Sequence, residues 1–420
     1  MTYFGRLFQS SCRNIKNGGG VLNYIIHIIT LEKIFILFTI LFAFFMPLFE
    51  GIASTMMILS IISGCFLLKR YDFNIGSFKG YFLVKIIMLF FMIIFIVTLF
   101  STNRLESLNK YVGLVKCVLP FFLLIGLKES KARDLIKPLP IFVAFLLGTT
   151  CASLYSIYQY IHTGQLYVTA FYGHHAVFGS FMELSLPITL ALLFVAETKR
   201  QQVFYIISGI ICLVALIMTQ ARGPWIASFA GMVTVAILFR HRIMMHKRKA
   251  LFCTLFLLCV IILAAPLYSK RVVTLVDPQW ASNYIRVMIW KSTLQMIHDY
   301  PLVGVGLDQF SSIYNPLYLN PLSPERFHGH GHNTYLTFAA ECGLIGLIAF
   351  MALLYGVFHT LWIQMKAHSR NPYVIACIGI FIALLVNSLV DRIFWEARLA
   401  KLFWLFMGLM IYNSKDLQRK

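Results

Sequence analysis

Acidic residues are scarce in this sequence: the 420-residue chain has 16 Asp and Glu against 36 Lys and Arg. Charged residues of both signs make up only 12%, while 59% of the residues are hydrophobic. Soluble domains carry about 25% charged and about 45–50% apolar residues, so this chain could not cover a water-facing surface with polar groups. The composition excludes a soluble domain and a disordered chain, and it predicts an all-α polytopic membrane protein.

The sequence also lacks the motifs that mark many hydrolases and nucleotide-dependent enzymes. It has no CxxC pair, no Walker A segment, no GxSxG elbow and no HExxH pair. Seven of the nine cysteines lie in apolar runs, where we expect them to be small packing residues rather than disulfides or metal ligands. These absences favour metal-free group transfer at the membrane, without a cofactor.

Long apolar runs recur along the chain at lengths that suit membrane-spanning helices, which need about 20 mostly apolar residues. Twelve spans are predicted, at 34–50, 51–68, 81–100, 111–127, 138–161, 177–196, 203–219, 224–239, 250–268, 337–364, 372–390 and 399–413. The chain then divides into nine spans within 1–268, a long loop at 269–336, and three spans with a short tail in 337–420. Within the loop, residues 283–298 have the apolar spacing of an amphipathic helix, so the loop is predicted to be partly helical.

Positive charge is distributed unevenly between the two sides of these spans. On the side of the N-terminus the loops and tails carry 23 Lys and Arg, and on the opposite side they carry 11. Cytoplasmic loops are enriched in Lys and Arg, so both termini are predicted to be cytoplasmic and the long loop external. Topology and attraction to membrane lipids explain the net charge of +20, and nucleic acid is not expected as a partner.

Two arginines on the predicted external side are candidates for anion binding. Arg222 stands in the TQARGPW run at 219–225, between two spans, where an arginine either snorkels or binds a ligand. Arg286 stands with Trp290 on the amphipathic stretch, where it is either a solvated surface residue or an anion ligand. Further on, Gly304 and Gly306 would let backbone N–H groups approach a phosphate, although a bare GxG is a weak signal.

Three histidines alternate in the FHGHGHNTY run at 327–335: His328, His330 and His332. Alternate histidines on one strand could share a metal ion, but the interleaved glycines and the absence of a matching acidic or cysteine set argue against a metal. A neutral histidine is a suitable general base for a hydroxyl near pH 7. Asn333 is predicted to cap the following helix, which would fix His332 just outside the helix N-terminus.

Two further polar clusters lie between predicted spans. Asp391, Arg392, Trp395, Glu396 and Arg398 form either a local ion-pair cluster or part of a site. The YGHH run at 172–175, which contains His174 and His175, is either a plain glycine-containing turn or part of the same site.

These motifs together resemble the signature of the bacterial O-antigen ligase/polymerase superfamily. The resemblance is carried by HGHNTYL at 330–336 with ECGLIG at 341–346, by TQARG at 219–223, and by Arg286 and Trp290 ahead of PLVGVG at 301–306. It covers about residues 165–410, while the first five spans match only in hydropathy.

The resemblance implies a membrane glycosyltransferase of the GT-C type in the bacterial inner membrane, with its site in a periplasmic loop. The implied donor is a glycan on undecaprenyl pyrophosphate. In ligases the acceptor is a sugar hydroxyl of the lipid A–core oligosaccharide, whereas polymerases join repeat units and related oligosaccharyltransferases glycosylate proteins. The compact length favours a ligase. A transporter or flippase is the alternative from another class, but the notable charges cluster at one face.

The resemblance also implies roles for individual residues. His332 is expected to be the catalytic base, with His330 as the alternative, and Arg222 and Arg286 are expected to bind the pyrophosphate. The residues expected to bind substrate are His330, Asn333, Tyr335, Trp290, Asp391, Arg398, His174 and His175. Neither a metal nor another cofactor is expected.

Overall fold

The computed structural model describes residues 30–131, 135–164, 167–240, 281–369, 371–394 and 396–414. Within this part of the chain there are thirteen α-helices, one 3₁₀ helix at Ile75–Gly80, and no strand. The α-helices are α1 Leu31–Phe45, α2 Glu50–Arg70, α3 Phe82–Leu99, α4 Arg104–Glu129, α5 Pro138–Thr163, α6 His175–Leu193, α7 Lys199–Thr219, α8 Arg222–Leu238, α9 Ala281–Asp299, α10 Phe310–Leu317, α11 Thr334–Ala367, α12 Pro372–Asn387 and α13 Ala397–Tyr412.

The described helices confirm an all-helical polytopic membrane protein. Seven of them, α2 to α7 and α11, are long and apolar enough to cross a membrane, and α8 and α12 are shorter apolar helices. Eleven of the twelve predicted spans overlap one of the described helices. The predicted ninth span, 250–268, lies outside the described residues, so the count of twelve stays a prediction.

The bundle packs closely where α6, α8 and α12 cross. A methyl group added to Gly231 of α8 would lie 2.8 Å from the carbonyl oxygen of Gly379 in α12 and 2.8 Å from Pro187 Cγ in α6. Small residues let helix backbones approach in this way, which stabilises a membrane bundle through dispersion contacts. The same crossing therefore fixes the relative positions of the outer ends of α6, α8 and α12.

Helix α11 is broken at Gly343, where a single helix was predicted across 337–364. Gly343 has φ 65° and ψ −173°, a conformation that is essentially restricted to glycine. Residues 301–306 run beside the break: Leu344 N–H donates to the Pro301 carbonyl at 2.8 Å, and Gly306 N–H donates to the Glu341 carbonyl at 2.8 Å. The interpretation of Gly306 as a phosphate ligand is therefore wrong, because its N–H already has a backbone partner.

The amphipathic helix predicted at 283–298 is confirmed as α9. Its apolar side chains Ile285, Ile289 and Met296 are buried in a cluster that also contains Phe310 and Tyr314. The segment between α9 and α11 thus has a small core of its own, which is seated on the outer part of α11.

Replacing Gly343 with alanine is expected to destabilise the protein. The added Cβ would lie 2.1 Å from the Leu302 carbonyl oxygen, and the backbone strain alone costs about 1–3 kcal/mol. Thermal unfolding in detergent should show a clear drop in midpoint. Gly113→Ala is the matched control, because Gly113 lies in α4 with no atom within 4 Å of an added Cβ. Equal midpoints for the two variants would contradict this account of the break.

Candidate functional site

Two adjoining cavities lie at the end of the bundle where α6, α8 and α11 begin. The large cavity has a volume of about 450 Å³ and the small cavity about 230 Å³. His174, Ala176, His332 and Asp391 line both of them. The two cavities therefore meet at a wall that contains two histidines and a carboxylate.

The N-termini of three helices converge on this wall. His174 caps α6 by accepting the Ala176 N–H at 3.3 Å, Arg222 is the first residue of α8, and Asn333 caps α11 by accepting the Leu336 N–H at 3.0 Å. The aligned peptide dipoles leave partial positive charge at each helix N-terminus, which attracts anions. The backbone alone thus favours a negatively charged ligand in the large cavity.

Arg222 and Arg286 both line the large cavity. The Arg222 Nη2 donates to Asn283 Oδ1 at 2.9 Å, and Asn283 lies one helical turn before Arg286 on α9. Burial lowers the pKa of Arg286, whereas the nearby carboxylate of Asp391 opposes that shift. The ordinary pKa of arginine is so high that the guanidinium stays charged. Residues 64 positions apart in the sequence therefore add two positive charges to one cavity.

His332 lines the wall between the cavities and has an unusual backbone conformation. Its φ is 44°, a left-handed value that is uncommon for residues other than glycine and often marks functional positions. The His332 backbone N–H donates to His330 Nδ1 at 3.1 Å, and the two rings have centroids 4.3 Å apart. The Trp290 indole N–H donates to the intervening Gly331 carbonyl at 3.1 Å, which holds this loop against α9.

Both histidines have pKa values below the ordinary range. Burial lowers the pKa of His332, and Asp391 partly opposes the shift. Burial, followed by the neighbouring His332, lowers the pKa of His330 to about 3. Both rings are therefore neutral at pH 7, and His330 is a very weak base.

Asp391 sits close to His330 at the end of α12. Its Oδ1 lies 3.8 Å from His330 Nε2. His330 Nδ1 accepts a hydrogen bond from the His332 backbone N–H, so the ring proton belongs on Nε2, which faces Asp391. One ligand atom from each of His330, His332 and Asp391 lies within 4.8 Å of the others. Two imidazoles and a carboxylate are a ligand set that divalent transition metals accept. The same arrangement would also suit a histidine that acts as a base beside a carboxylate.

Arg392 belongs to an ion-pair network beside the small cavity. Its Nη2 lies 2.9 Å from Asp308 Oδ1 and its Nη1 lies 3.4 Å from the fully buried Glu341 Oε1, while Lys110 Nζ lies 3.3 Å from Asp308. Burial raises the pKa of Asp308, but Lys110 and Arg392 outweigh this effect and the net shift is downward. The network ties α4, the segment before α10 and the outer part of α11 to the loop after α12.

The structure brings seven of the predicted residues to the cavities. His332, Asp391 and His174 line both, Arg222, Arg286 and His175 line the large one, and His330 lines the small one. Residues from five separate parts of the sequence thus share one site.

Four predicted substrate-binding residues line neither cavity. The Trp290 indole N–H donates to the Gly331 carbonyl. Asn333 caps α11 as predicted, and its Nδ2 also donates to the Leu389 carbonyl at 3.0 Å. Tyr335 Oη lies 3.4 Å from the Leu385 carbonyl. Arg398 pairs with Glu50 and Glu396 and lies over the Tyr172 ring. Their roles in substrate binding stay predictions, and Trp395 lies outside the described residues.

Sequence reasoning missed two polar residues of the large cavity, Glu325 and Asn387. It also missed Glu183 in α6, whose carboxylate Oε1 accepts from Asn387 Nδ2. An acidic residue inside a predicted span is a signal that the sequence did contain.

The fold defines a polytopic membrane protein with a cavity at one end of its bundle that is lined by arginines, histidines and carboxylates. Residues 207–351 match the sequence model of a family described as O-antigen ligase, and this segment contains Arg222, Arg286 and His332. This match supports the resemblance to the O-antigen ligase superfamily that the motifs predicted. No curated protein matches the chain.

We expect the triad of His330, His332 and Asp391 not to bind a divalent metal ion stoichiometrically. The reason is electrostatic: Arg222 and Arg286 line the same cavity as Asp391 and Glu325 and offset the attraction of these carboxylates for a cation. Protein dialysed against EDTA should take up less than one equivalent of Zn²⁺, Mn²⁺ or Ca²⁺ by calorimetry. One equivalent that disappears in His330→Ala would instead assign the histidines as metal ligands.

Proposed function

We propose that this protein is an inverting, metal-independent O-antigen ligase. It transfers glycan from undecaprenyl pyrophosphate to a sugar hydroxyl of the lipid A–core oligosaccharide during lipopolysaccharide biosynthesis. The observation that carries the proposal is that Arg222, Arg286 and the helix N-termini of α6 and α8 lie at a cavity that is also lined by the neutral ring of His332. The family match over 207–351 supports the same class of reaction.

The arginines bind and stabilise the pyrophosphate leaving group. Guanidinium groups form bidentate, charge-assisted hydrogen bonds with phosphate oxygens. In a cavity with little water such contacts strengthen as negative charge develops on the leaving oxygen. The helix N-termini of α6 and α8 add positive potential to the same place.

His332 acts as the general base. The neutral imidazole takes the proton of the acceptor hydroxyl as that oxygen attacks the anomeric carbon of the donor glycan. The bond from the anomeric carbon to the pyrophosphate oxygen breaks, and undecaprenyl pyrophosphate leaves with the electron pair, which inverts the anomeric centre. Asp391 stabilises the imidazolium that forms, because its carboxylate opposes the fall in the pKa of His332.

The membrane orientation follows the charge asymmetry of the loops. Both termini lie in the cytoplasm and the cavities face the periplasm of the inner membrane. The polyprenyl chain of the donor lies among apolar side chains of the spans.

A deletion strain tests the proposal and separates it from the alternatives in the superfamily. Loss of a ligase removes all O-antigen forms from lipopolysaccharide, including the form with a single repeat. Retention of the single-repeat form would identify a polymerase, and loss of protein glycosylation with normal lipopolysaccharide would identify an oligosaccharyltransferase.

Arg222→Ala and Arg286→Ala are each expected to lower the transfer rate at least about tenfold to a hundredfold, since a charge-assisted hydrogen bond contributes about 1.5–3 kcal/mol. Lysine should restore little activity at either position, because an ammonium group cannot reproduce a bidentate contact. Transfer between purified lipids in detergent measures both effects. Full activity of either Arg→Lys variant would show that only net charge matters there.

His332→Ala is expected to lower the transfer rate by ~10²–10⁴, which is the typical contribution of a general base. Binding of the donor lipid should change little, because both arginines remain. His330→Ala should be less severe, since His330 Nδ1 already accepts the His332 backbone N–H and its Nε2 faces Asp391. The opposite order of the two variants would move the base role to His330.

The pH dependence of transfer should reflect the lowered pKa of His332. A base with a pKa below the ordinary value of about 6.5 stays unprotonated at pH 7 and loses activity only when the pH falls further. The acid limb of the rate profile should therefore have its midpoint below pH 6.5. Asp391→Asn removes a charge that raises this pKa, so the midpoint should move to lower pH. An upward shift in that variant would contradict the assignment of His332.

A further inference from the structure

A carboxyl group is buried inside the helix bundle, just beneath the large cavity. Glu183 lies near the middle of α6, and neither it nor Asn387 of α12 has any exposed surface. Asn387 Nδ2 donates to Glu183 Oε1, whereas Glu183 Oε2 and Asn387 Oδ1 have no hydrogen-bond partner. An ionisable side chain within a membrane-spanning helix is costly and tends to be kept for a function.

The register of the helices places Glu183 directly below the Arg222 turn. Pro224 of α8 packs on Gly179 of α6, since a Cβ on Gly179 would lie 3.1 Å from it. Two turns further on, Pro187 of α6 packs on Gly231 of α8. Glu183 lies halfway between these two contacts, one turn from the outer end of α8.

Asn387 connects Glu183 to both sides of the site. A Cβ on Gly223 would lie 2.4 Å from Asn387 Oδ1, so the amide sits against the turn that presents Arg222. The Asn387 carbonyl accepts the Asp391 N–H at 2.9 Å, and Asn387 itself lines the large cavity. The backbone carbonyl of Asn387 thus holds Asp391, while the hydrogen bond to Glu183 fixes the side-chain amide in one orientation against Gly223.

We propose that Glu183 is a positioning residue for the transfer reaction, acting through Asn387. The pair sets the position of the Arg222 turn relative to Asp391. This inference rests on the proposed function, because it assigns the Arg222 turn to pyrophosphate binding. Small misplacements of a binding group, of about 1 Å, cost as much as ~10²-fold in rate.

The test measures the dissociation constant of undecaprenyl pyrophosphate, with no glycan attached, for protein in detergent. Glu183→Leu removes the acceptor for Asn387 Nδ2 and should weaken binding about tenfold, which is the loss of one charge-assisted contact. Glu183→Gln retains an acceptor oxygen and should recover most of that loss. A Gln variant as weak as the Leu variant would overturn the proposal, since it would show that the carboxylate charge acts directly.

A double-mutant cycle separates positioning from general destabilisation. If Glu183 acts through the Arg222 turn, Glu183→Leu should add little to the loss caused by Arg222→Ala. Additive losses, or normal binding in Glu183→Leu, would contradict the inference. Normal binding in Arg222→Ala itself would instead overturn the proposed function, so the two failures are distinguishable.

Gln364→Leu is the matched control for removing a buried polar group. Gln364 is fully buried near the far end of α11, and both of its side-chain polar atoms lack partners. Its replacement should leave binding unchanged. If Glu183→Leu does not fold, Gly223→Ala provides a second route, because the new Cβ displaces the Asn387 amide while Glu183 stays in place. It should weaken binding of the same probe, and unchanged binding would contradict the proposal.

Discussion

The break of α11 at Gly343 is the constraint on which the site depends. Inside a membrane protein every buried backbone N–H and C=O needs a partner, and a broken helix frees several of them. Residues 301–306 supply partners on both sides of the break. In doing so they seat the segment between α9 and α11 on the bundle. Arg286 and Trp290 reach the histidine loop because this backbone pairing holds α9 beside the start of α11.

The electrostatics of the cavity serve binding and acid–base chemistry together. Arg222, Arg286 and the helix N-termini at the large cavity supply hydrogen-bond donors and positive potential for a pyrophosphate, beside the carboxylates of Asp391 and Glu325. Burial, with Arg286 contributing, keeps His332 unprotonated at neutral pH, and an unprotonated ring is what a general base requires. Asp391 limits the shift and leaves His332 basic enough to accept a proton. One arrangement of charge therefore supports both roles in the proposed reaction.

A hydrogen-bonded pair of buried polar side chains lies between α6 and α12 near the large cavity. The crossing at Gly231 and Gly379 brings these helices close, and Glu183 and Asn387 lie between that crossing and the cavity. The close packing at Gly231 and Gly379 and the hydrogen bond between Glu183 and Asn387 together leave the Arg222 turn little freedom to move. Rigid support of this kind is what a binding group needs if its geometry is to match a transition state.

The sequence by itself determined the class of the protein and identified several residues that line its cavities. Apolar runs of spanning length require helices in a membrane, and Arg222, Arg286 and His332 were identifiable because charged or titratable residues at span ends are costly without a role. The cap at Asn333 and the amphipathic helix α9 were also predicted, because both depend on contacts between near neighbours in the chain.

Only the tertiary structure decided which of these residues meet. Three residues lie in the same motifs as the cavity residues but have other partners. Trp290 donates to the Gly331 carbonyl, Asn333 caps α11, and Arg398 pairs with Glu50 and Glu396. Gly306 uses its N–H in pairing with α11, and Asn387 and Glu183 meet across 204 positions of sequence. Local patterns fix what a residue can do, but its partners follow from helix crossings and from a break in α11, which arise from packing between distant parts of the chain.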